Sequence, residues 1–206
     1  MPATVEHWDK IYRDKPPQSV SWYRPHLETS LALIERAAPD RASSIIDVGG
    51  GASTLSDDLL ASGYRNLTVI DLSQTAIAVA VRRLGSASTR IHWVAADILS
   101  YELPANVYDV WHDRATFHFL TTESDRADYV RRVARAVKPG GYVLISTFGL
   151  EGPYTCSGLE VARYDADSLH AEFGVRFRTV SWDTEPQADD PLGFHTSCRY
   201  IPRAAR

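Results

Sequence analysis

Cysteine is scarce in this chain. Cys156 and Cys198 are its only two, and no C-x-x-C spacing accompanies them. That excludes the disulfide framework of a small secreted domain and leaves a pair of reduced thiols. Long apolar runs are missing as well. None approaches the roughly 18 residues that a membrane-spanning helix requires. Basic charge is not in excess: 22 Lys and Arg stand against 26 Asp and Glu, for a net charge of −4. No nucleic-acid footprint is expected from that balance. The opening MPATVEHWDK contains acidic residues and no apolar core, unlike a secretory signal, so a cytoplasmic location is expected. Repeats, low-complexity tracts and composition-marked linkers are also absent. What remains is 206 residues with 44% hydrophobic and 23% charged content, enough for one ordinary core. A single domain over residues 1–206 is expected.

Hydrophobic period organises most of that length. Trp8 and Tyr12 sit four apart, as on one face of a short helix. The stretch from Ser21 to Ala38 reads as a helix with Leu27, Leu31 and Ile34 on one face, and residues 1–38 together read as an N-terminal helical cover. Ser44–Val48 is then a β-branched run that ends in three glycines. Helices are predicted over Ser53–Ser62, over Gln74–Leu84 capped by Ser73, and over Thr122–Val137 capped by Thr122. Strands are predicted at Leu67–Ile70, Ile91–Ala95, Tyr108–Trp111 and Tyr142–Phe148, the last preceded by a Lys138–Gly141 turn. Residues 149–164 form a Gly-containing loop. Asp165 caps a short helix over Ala166–Phe173, and Phe177–Trp182 and Phe194–Ile201 make a hairpin. Strands alternating with helices and closing on a hairpin indicate an α/β fold. The expected architecture is Rossmann-like: a seven-stranded, mostly parallel sheet with helices on both faces and a C-terminal antiparallel hairpin.

Open α/β sheets bind ligands beyond the carboxyl ends of their strands. The unusual residues of this chain collect there: Gly49, Gly50 and Gly51 after the first strand, Asp71 at the end of the second, Asp97 after the third, His112 and Asp113 after the fourth. Glycine lets backbone approach a ligand without a Cβ clash. A carboxylate at the end of the second strand can accept both hydrogen bonds of a ribose diol. A phosphate-binding G-x-G-x-x-G turn is not formed, because Thr54 stands where its third glycine belongs. That disfavours a nicotinamide enzyme.

Ile45-Ile46-Asp47-Val48-Gly49-Gly50-Gly51-Ala52-Ser53 resembles the first motif of the class I S-adenosylmethionine-dependent methyltransferases, with Ser53 where a further glycine is usual. Val69-Ile70-Asp71-Leu72-Ser73 resembles the family's ribose-binding motif. Ala96-Asp97-Ile98 resembles its adenine-flanking segment, and Val137–Gly141 its turn before the fifth strand. The likeness covers about residues 42–148. It implies S-adenosylmethionine as cofactor, held by Asp47, Gly49, Gly50, Gly51, Asp71, Leu72, Asp97, Ile98 and His112, while Trp22, after the Pro16-Pro17 break, is a candidate to cover the cofactor.

Methyl transfer from a sulfonium is a direct displacement with a neutral leaving group, so no catalytic triad is required. The segment Trp111–Leu120 follows the fourth strand, where the family brings cofactor and acceptor together. Within it, His118 is the preferred base, since an unperturbed imidazole titrates at about 6.5. His112 and Asp113 are supporting catalytic candidates. Arg114, Phe117, Tyr154, Arg163 and His195 are candidate acceptor contacts, and residues 149–164 a substrate-side loop. No metal signature links His112, His118 and His195. The resemblance implies a methyltransferase acting on O, S or N of a small molecule. The W-D-x-x-Y of Trp8–Tyr12 and Asp113–Phe117 also resemble small protein-lysine methyltransferases, which keeps a protein acceptor as the alternative, beside a non-catalytic binding protein of the same fold.

Overall fold

The computed structural model describes residues 4–186 and 194–202, with side chains to residue 181. The described residues divide into two compact units, one up to Tyr101 and one from Glu102 onward.

The first unit is built from α1 (Val5–Asp14), α2 (Glu28–Ala37), β1 (Ser44–Val48), α3 (Leu55–Ala61), β2 (Asn66–Asp71), α4 (Gln74–Leu84) and β3 (Ile91–Ala95). Its strands are parallel, with β2 between β1 and β3. Ile45, Ile46 and Val48 are all buried, as a strand covered on both sheet faces requires. Register sets the strand ends level. Val48 lies opposite Ile70, and Asp71 opposite Ala95. The ladder continues one step further, with Gly49 N donating to Ile70 O at 2.8 Å and Ala96 N to Asp71 O at 2.9 Å. The glycine run, Asp71 and the Ala96-Asp97 segment therefore share one edge of this sheet.

Helix α2 starts at Glu28, later than the expected Ser21. Pro25 explains the delay, since its ring drives Arg24 out of the helical region. Residues 20–25 form turns instead: Tyr23 N donates to Val20 O, and Arg24 donates to Ser21 O and Tyr23 O. The helix takes its N-terminal acceptor from α3, where Asp58 Oδ2 accepts from Leu27 N at 2.9 Å. Helix α4 keeps its expected limits. Ser73 Oγ accepts from Ala76 N, and Gly85 ends the helix at φ +56°.

The second unit contains β4 (Tyr108–Arg114), α5 (Glu123–Ala136), β5 (Val137–Phe148), the short pair β6 (Thr155–Cys156) and β7 (Leu159–Glu160), α6 (Ala166–Phe173), β8 (Phe177–Pro186) and β9 (Phe194–Pro202). Strands β4 and β5 are parallel, and the C-terminal hairpin β8–β9 is antiparallel, with β9 pairing antiparallel to β5. The chain thus has the expected Rossmann-like α/β character with a C-terminal antiparallel hairpin. Three expectations shift. Strand β4 runs to Arg114, so His112 and Asp113 lie inside it rather than after it. Strand β5 begins at Val137, before the Lys138–Gly141 turn. The 149–164 loop contains the β6–β7 pair. An aromatic core of Trp111, Phe117, Tyr129, Phe173 and Phe177 fills this unit, all of it fully buried.

Candidate functional site

In the first unit the carboxyl edge is held by an ordered set of hydrogen bonds around Asp71. Gly51 N donates to Asp71 Oδ2 at 2.9 Å, and Ser73 N donates to Asp71 Oδ1 at 2.7 Å. Each oxygen keeps acceptor capacity, because a carboxylate offers about four lone-pair sites. Both can therefore also accept from a vicinal diol. Asp71 stays partly exposed, yet the surrounding protein raises its pKa to about 6. Desolvation is the leading cause. The two N–H donors offset part of it, and the Asp47 and Asp9 carboxylates add to the rise.

The glycines fit closely against these groups. A Cβ on Gly51 would lie 2.6 Å from Asp71 Oδ2 and 2.6 Å from Ala76 Cβ, while one on Gly50 would lie 2.2 Å from Asp47 Oδ2. Gly49 adopts φ +70°, a region that L side chains rarely enter. Asp47 itself is buried at the end of β1. Arg83, near the end of α4, braces the same turn from outside by donating to Ala52 O, Ser53 O and the Asp57 carboxylate. Gly51→Ala is expected to destabilise the protein by about 1–3 kcal/mol and weaken adenosine-ligand binding, because the added methyl must push Asp71 or α4 away. Thermal unfolding and ligand titration of the variant check this. Wild-type values in both would contradict the cradle.

A cavity of about 410 Å³ opens beside this edge, lined by Thr4, Val5, Leu72, Gln74, Ala95, Ala96 and Asp97. Its size lies in the range of about 300–1,000 Å³ that small-ligand pockets occupy. Asp97 is exposed and accepts from Leu99 N at 2.8 Å, which sets the turn after β3. Ile98 is buried. Trp22 is half-buried in an aromatic group, donating from Nε1 to Tyr12 Oη at 3.2 Å with its ring edge-on to Trp8. The glycine cradle, the diol-ready carboxylate and the adjoining cavity fit an adenosine-bearing cofactor.

In the second unit, Asp113 is fully buried and engaged by its own chain. It accepts from Thr116 N at 2.8 Å, from Phe117 N at 3.1 Å, and from Tyr129 Oη. Tyr129 Oη accepts in turn from Trp111 Nε1 at 2.9 Å. Burial raises the Asp113 pKa to about 6, against the lowering effect of these donors and of His112. The bonds fix the turn after β4, where Ala115 holds φ +69°. His112 is buried and Arg114 half-buried. Phe117 packs into the aromatic core against Tyr129, Tyr164 and Phe173. His118 is fully buried, stacked on Phe148 at 4.7 Å and edge-on to Phe119 at 4.5 Å.

The 149–164 loop is closed on itself by Arg163. Its guanidinium donates to Leu150 O and Gly152 O and lies 3.6 Å from the centroid of the Tyr154 ring, which is 70% exposed. His195 pairs with Phe148 in the β5–β9 ladder; its side chain, like that of Cys198, lies outside the described residues. Among the described residues, no group of three His, Cys, Asp or Glu is placed to hold a metal, and no helix is long and apolar enough to cross a membrane. Asp9, Arg83 and Tyr129 were not singled out by sequence reasoning as supports of these sites. Only Asp9 carried a signal, as part of W-D-x-x-Y.

Comparison with known proteins bears on the family and the fold. A family model described as a methyltransferase domain matches residues 45–141. The mouse "eEF1A lysine and N-terminal methyltransferase" is 26% identical over 160 residues, covering 78% of this chain and 22% of that protein. The chain thus spans about a fifth of that relative's length. The "Ubiquinone biosynthesis O-methyltransferase" of Ralstonia nicotianae is 32% identical over 142 residues, 68% of this chain and 55% of that protein. The solved Burkholderia thailandensis 1,6-didemethyltoxoflavin-N1-methyltransferase, bound to S-adenosylhomocysteine, superposes with a TM-score of 0.76 at 19% identity, over 97% of this chain and 88% of that one. The [4+2]-cyclase SpnF shares the fold with a TM-score of 0.72 at 14% identity, over 99% and 98% of the two chains. Motifs and relatives converge: residues 45–141 match a methyltransferase domain, and the chain is similar in motif and fold to class I S-adenosylmethionine-dependent methyltransferases.

Proposed function

We propose that this protein transfers the methyl group of S-adenosylmethionine to an oxygen, sulfur or nitrogen nucleophile of a small molecule. The observation that carries the reading is the first unit's strand edge, which Gly49–Gly51 and Asp71 share with Asp97, a residue that lines the cavity. Asp71 would accept from the ribose hydroxyls, Leu72 and Asp97 would flank the adenine with Ile98 beneath, and the Gly49–Gly51 backbone would approach the methionine moiety, with Asp47 ordering the turn. The bound cofactor supplies an electrophilic methyl group on a positively charged sulfur. The protein's own task is to align the acceptor and exclude water. The reading also takes residues 1–206 as one methyltransferase domain with the family's seven-stranded sheet, residues 1–38 as its cover and residues 149–164 as a substrate-side loop.

The burial of His118 bears on the acceptor. A protonated amine must lose a proton before attack, whereas a phenol, carboxylate or thiol supplies its nucleophilic form with little help. His118, the preferred base, is sealed between Phe119 and Phe148, and Asp113 is committed to three donors. That favours an acceptor that ionises readily. A protein-lysine acceptor is the second reading, supported by the mouse relative's name and by Trp8–Tyr12.

Incubation with a methyl-labelled donor, against separate metabolite and protein fractions of a cell extract, tests both. Label is expected in a small molecule. Label confined to one protein band would replace the first reading with the second. No label in either fraction, together with no calorimetric binding of S-adenosylhomocysteine, would defeat the enzymatic reading.

A further inference from the structure

Helix α1 buries none of its residues fully. Besides the packing of Trp8 and Tyr12 on Trp22, a directional tie holds it. Asp9 Oδ1 accepts from Ser73 Oγ at 2.6 Å and from Thr75 N at 3.0 Å. Ser73 is wholly buried, and its Oγ already accepts from Ala76 N at 3.0 Å. A serine hydroxyl has a single proton, and here it is committed to Asp9. Thr75 N is one of the donors that the start of a helix leaves without an intrahelical partner, and a negative charge is favoured there. The bond from Ser73, ahead of any other cause, holds the Asp9 carboxyl below the ordinary carboxylate range.

The tie continues inward. Ser73 N donates to Asp71 Oδ1, and Asp71 Oδ2 receives Gly51 N. An unbroken series of hydrogen bonds and one short backbone link therefore joins Asp9 on α1 to the ribose-side carboxylate and the glycine turn. At the N-terminal end of α1, Thr4 caps the helix by accepting from His7 N, and Thr4 and Val5 line the same cavity as Leu72 and Asp97. Val5 is 49% exposed there. A ligand in the cavity would cover it.

We propose that Asp9 is a positioning residue for the cofactor: its tie to Ser73 and Thr75 holds α1 over the adenosine end of the site, so that α1 docking and cofactor binding strengthen one another. The proposal rests on the cofactor reading above. Linkage makes it reciprocal, since a helix that improves ligand affinity must itself be held more firmly when the ligand is bound.

The test uses the full chain and S-adenosylhomocysteine as probe. In the wild type, saturating ligand is expected to slow amide exchange in Val5–Asp14 as well as in the Gly49–Ala52 turn. Asp9→Ala should bind about tenfold more weakly, a typical coupling between linked sites. It should lose ligand-induced protection in Val5–Asp14 and retain it in the glycine turn. Once a methyl acceptor is in hand, the KM for the donor should rise while kcat at saturating donor stays near wild type. Asp9→Asn keeps one acceptor oxygen and should restore affinity to within about threefold of wild type. Wild-type affinity in Asp9→Ala would overturn the proposal, and so would wild-type exchange that is unchanged in α1 on saturation, a result that needs no variant to fold. If the wild type fails to bind the probe at all, the cofactor reading itself falls. If it binds and Asp9→Ala binds equally well, only the tie falls.

Discussion

Asp71→Ala is expected to weaken S-adenosylmethionine binding by about a hundredfold or more. Hydrogen bonds to a charged acceptor contribute about 1.5–3 kcal/mol each, and a ribose diol would make two of them with Asp71. The truncation also strips Gly51 N and Ser73 N of their acceptor, so the glycine turn loses an anchor at the same time. Calorimetric titration of wild type and variant gives the ratio. Affinities within a factor of about three, less than one neutral hydrogen bond is worth, would remove Asp71 from the site.

The same carboxylate sets a pH dependence. Only its ionised form can accept from both hydroxyls while accepting from Gly51 and Ser73. Its pKa in the free protein is raised to about 6. Cofactor affinity should therefore be level above about pH 7 and fall as pH drops through 6. The limiting slope is about tenfold per pH unit, since each unit of protonation costs about 1.4 kcal/mol. Asp71→Asn should bind weakly at all pH values and show a flat profile across that window. A flat wild-type profile would mean that ribose recognition does not use the ionised group.

How much of this was legible in the sequence follows from the range of the forces involved. Helices α4 and α6 were readable to the residue because their stop and start signals are local: Ser73 and Gly85 for one, Asp165 with Ser168 for the other. The edge carrying Gly49, Asp71 and Asp97 was readable because strand period and topology together level the strand ends. The Lys138–Gly141 turn was legible too, but its consequence was not. Tyr108 pairs with Val137 and Val110 with Tyr142, so the turn sits as an excursion within one strand, and Gly140 at φ +80° allows it. Helix α2 starts later than its apolar spacing indicates, because Pro25, a residue that a first helical turn tolerates, here follows a run of turns. The supports of the sites were hidden for a different reason. Asp9 reaches Ser73, Arg83 reaches Ser53, and Tyr129 reaches Asp113 across long sequence separations, and no local pattern encodes such partners. Asp113 was accordingly read as a supporting catalytic group, and its ties to Thr116, Phe117 and Tyr129 emerge only in three dimensions.

Those ties make Asp113→Ala the substitution with the largest expected effect on stability, about 3 kcal/mol. Removing the carboxylate strands the Thr116 and Phe117 amides and the Tyr129 hydroxyl in a dry interior, at about 1–3 kcal/mol for each buried donor left unsatisfied. The loss is partly offset, because the carboxylate is itself costly to bury. Its pKa rises from 3.8 unfolded to about 6 folded, so the native state holds its proton more tightly. Protein stability from this group is therefore greatest at acid pH, declines as pH rises from about 4 to 6, and is constant above. That is a raised carboxyl, opposite in sign to a salt-bridged one, and it costs roughly 3 kcal/mol at neutral pH. The three stranded donors outweigh it. For a chain of this size the melting temperature should drop by about 6–12 °C. Asp113→Asn keeps the volume and one acceptor oxygen and sheds the charge, so it should lose about 1 kcal/mol and erase the pH slope between 4 and 6. Tyr129→Phe should cost about 1–2 kcal/mol by leaving Trp111 Nε1 without its acceptor, and paired with Asp113→Ala it should add less than its single value, because both remove the same bond. Calorimetric and denaturant unfolding of the wild type and these four variants measures these terms. The two carboxylates also separate the effects. Asp71 variants should lose cofactor affinity with little loss of stability beyond the glycine turn, while Asp113→Ala should retain S-adenosylhomocysteine affinity near wild type and lose turnover as the Ala115–Phe119 turn loosens. An Asp113→Ala protein as stable as wild type, or one that loses cofactor affinity instead, would show that the buried carboxylate does not hold the end of β4.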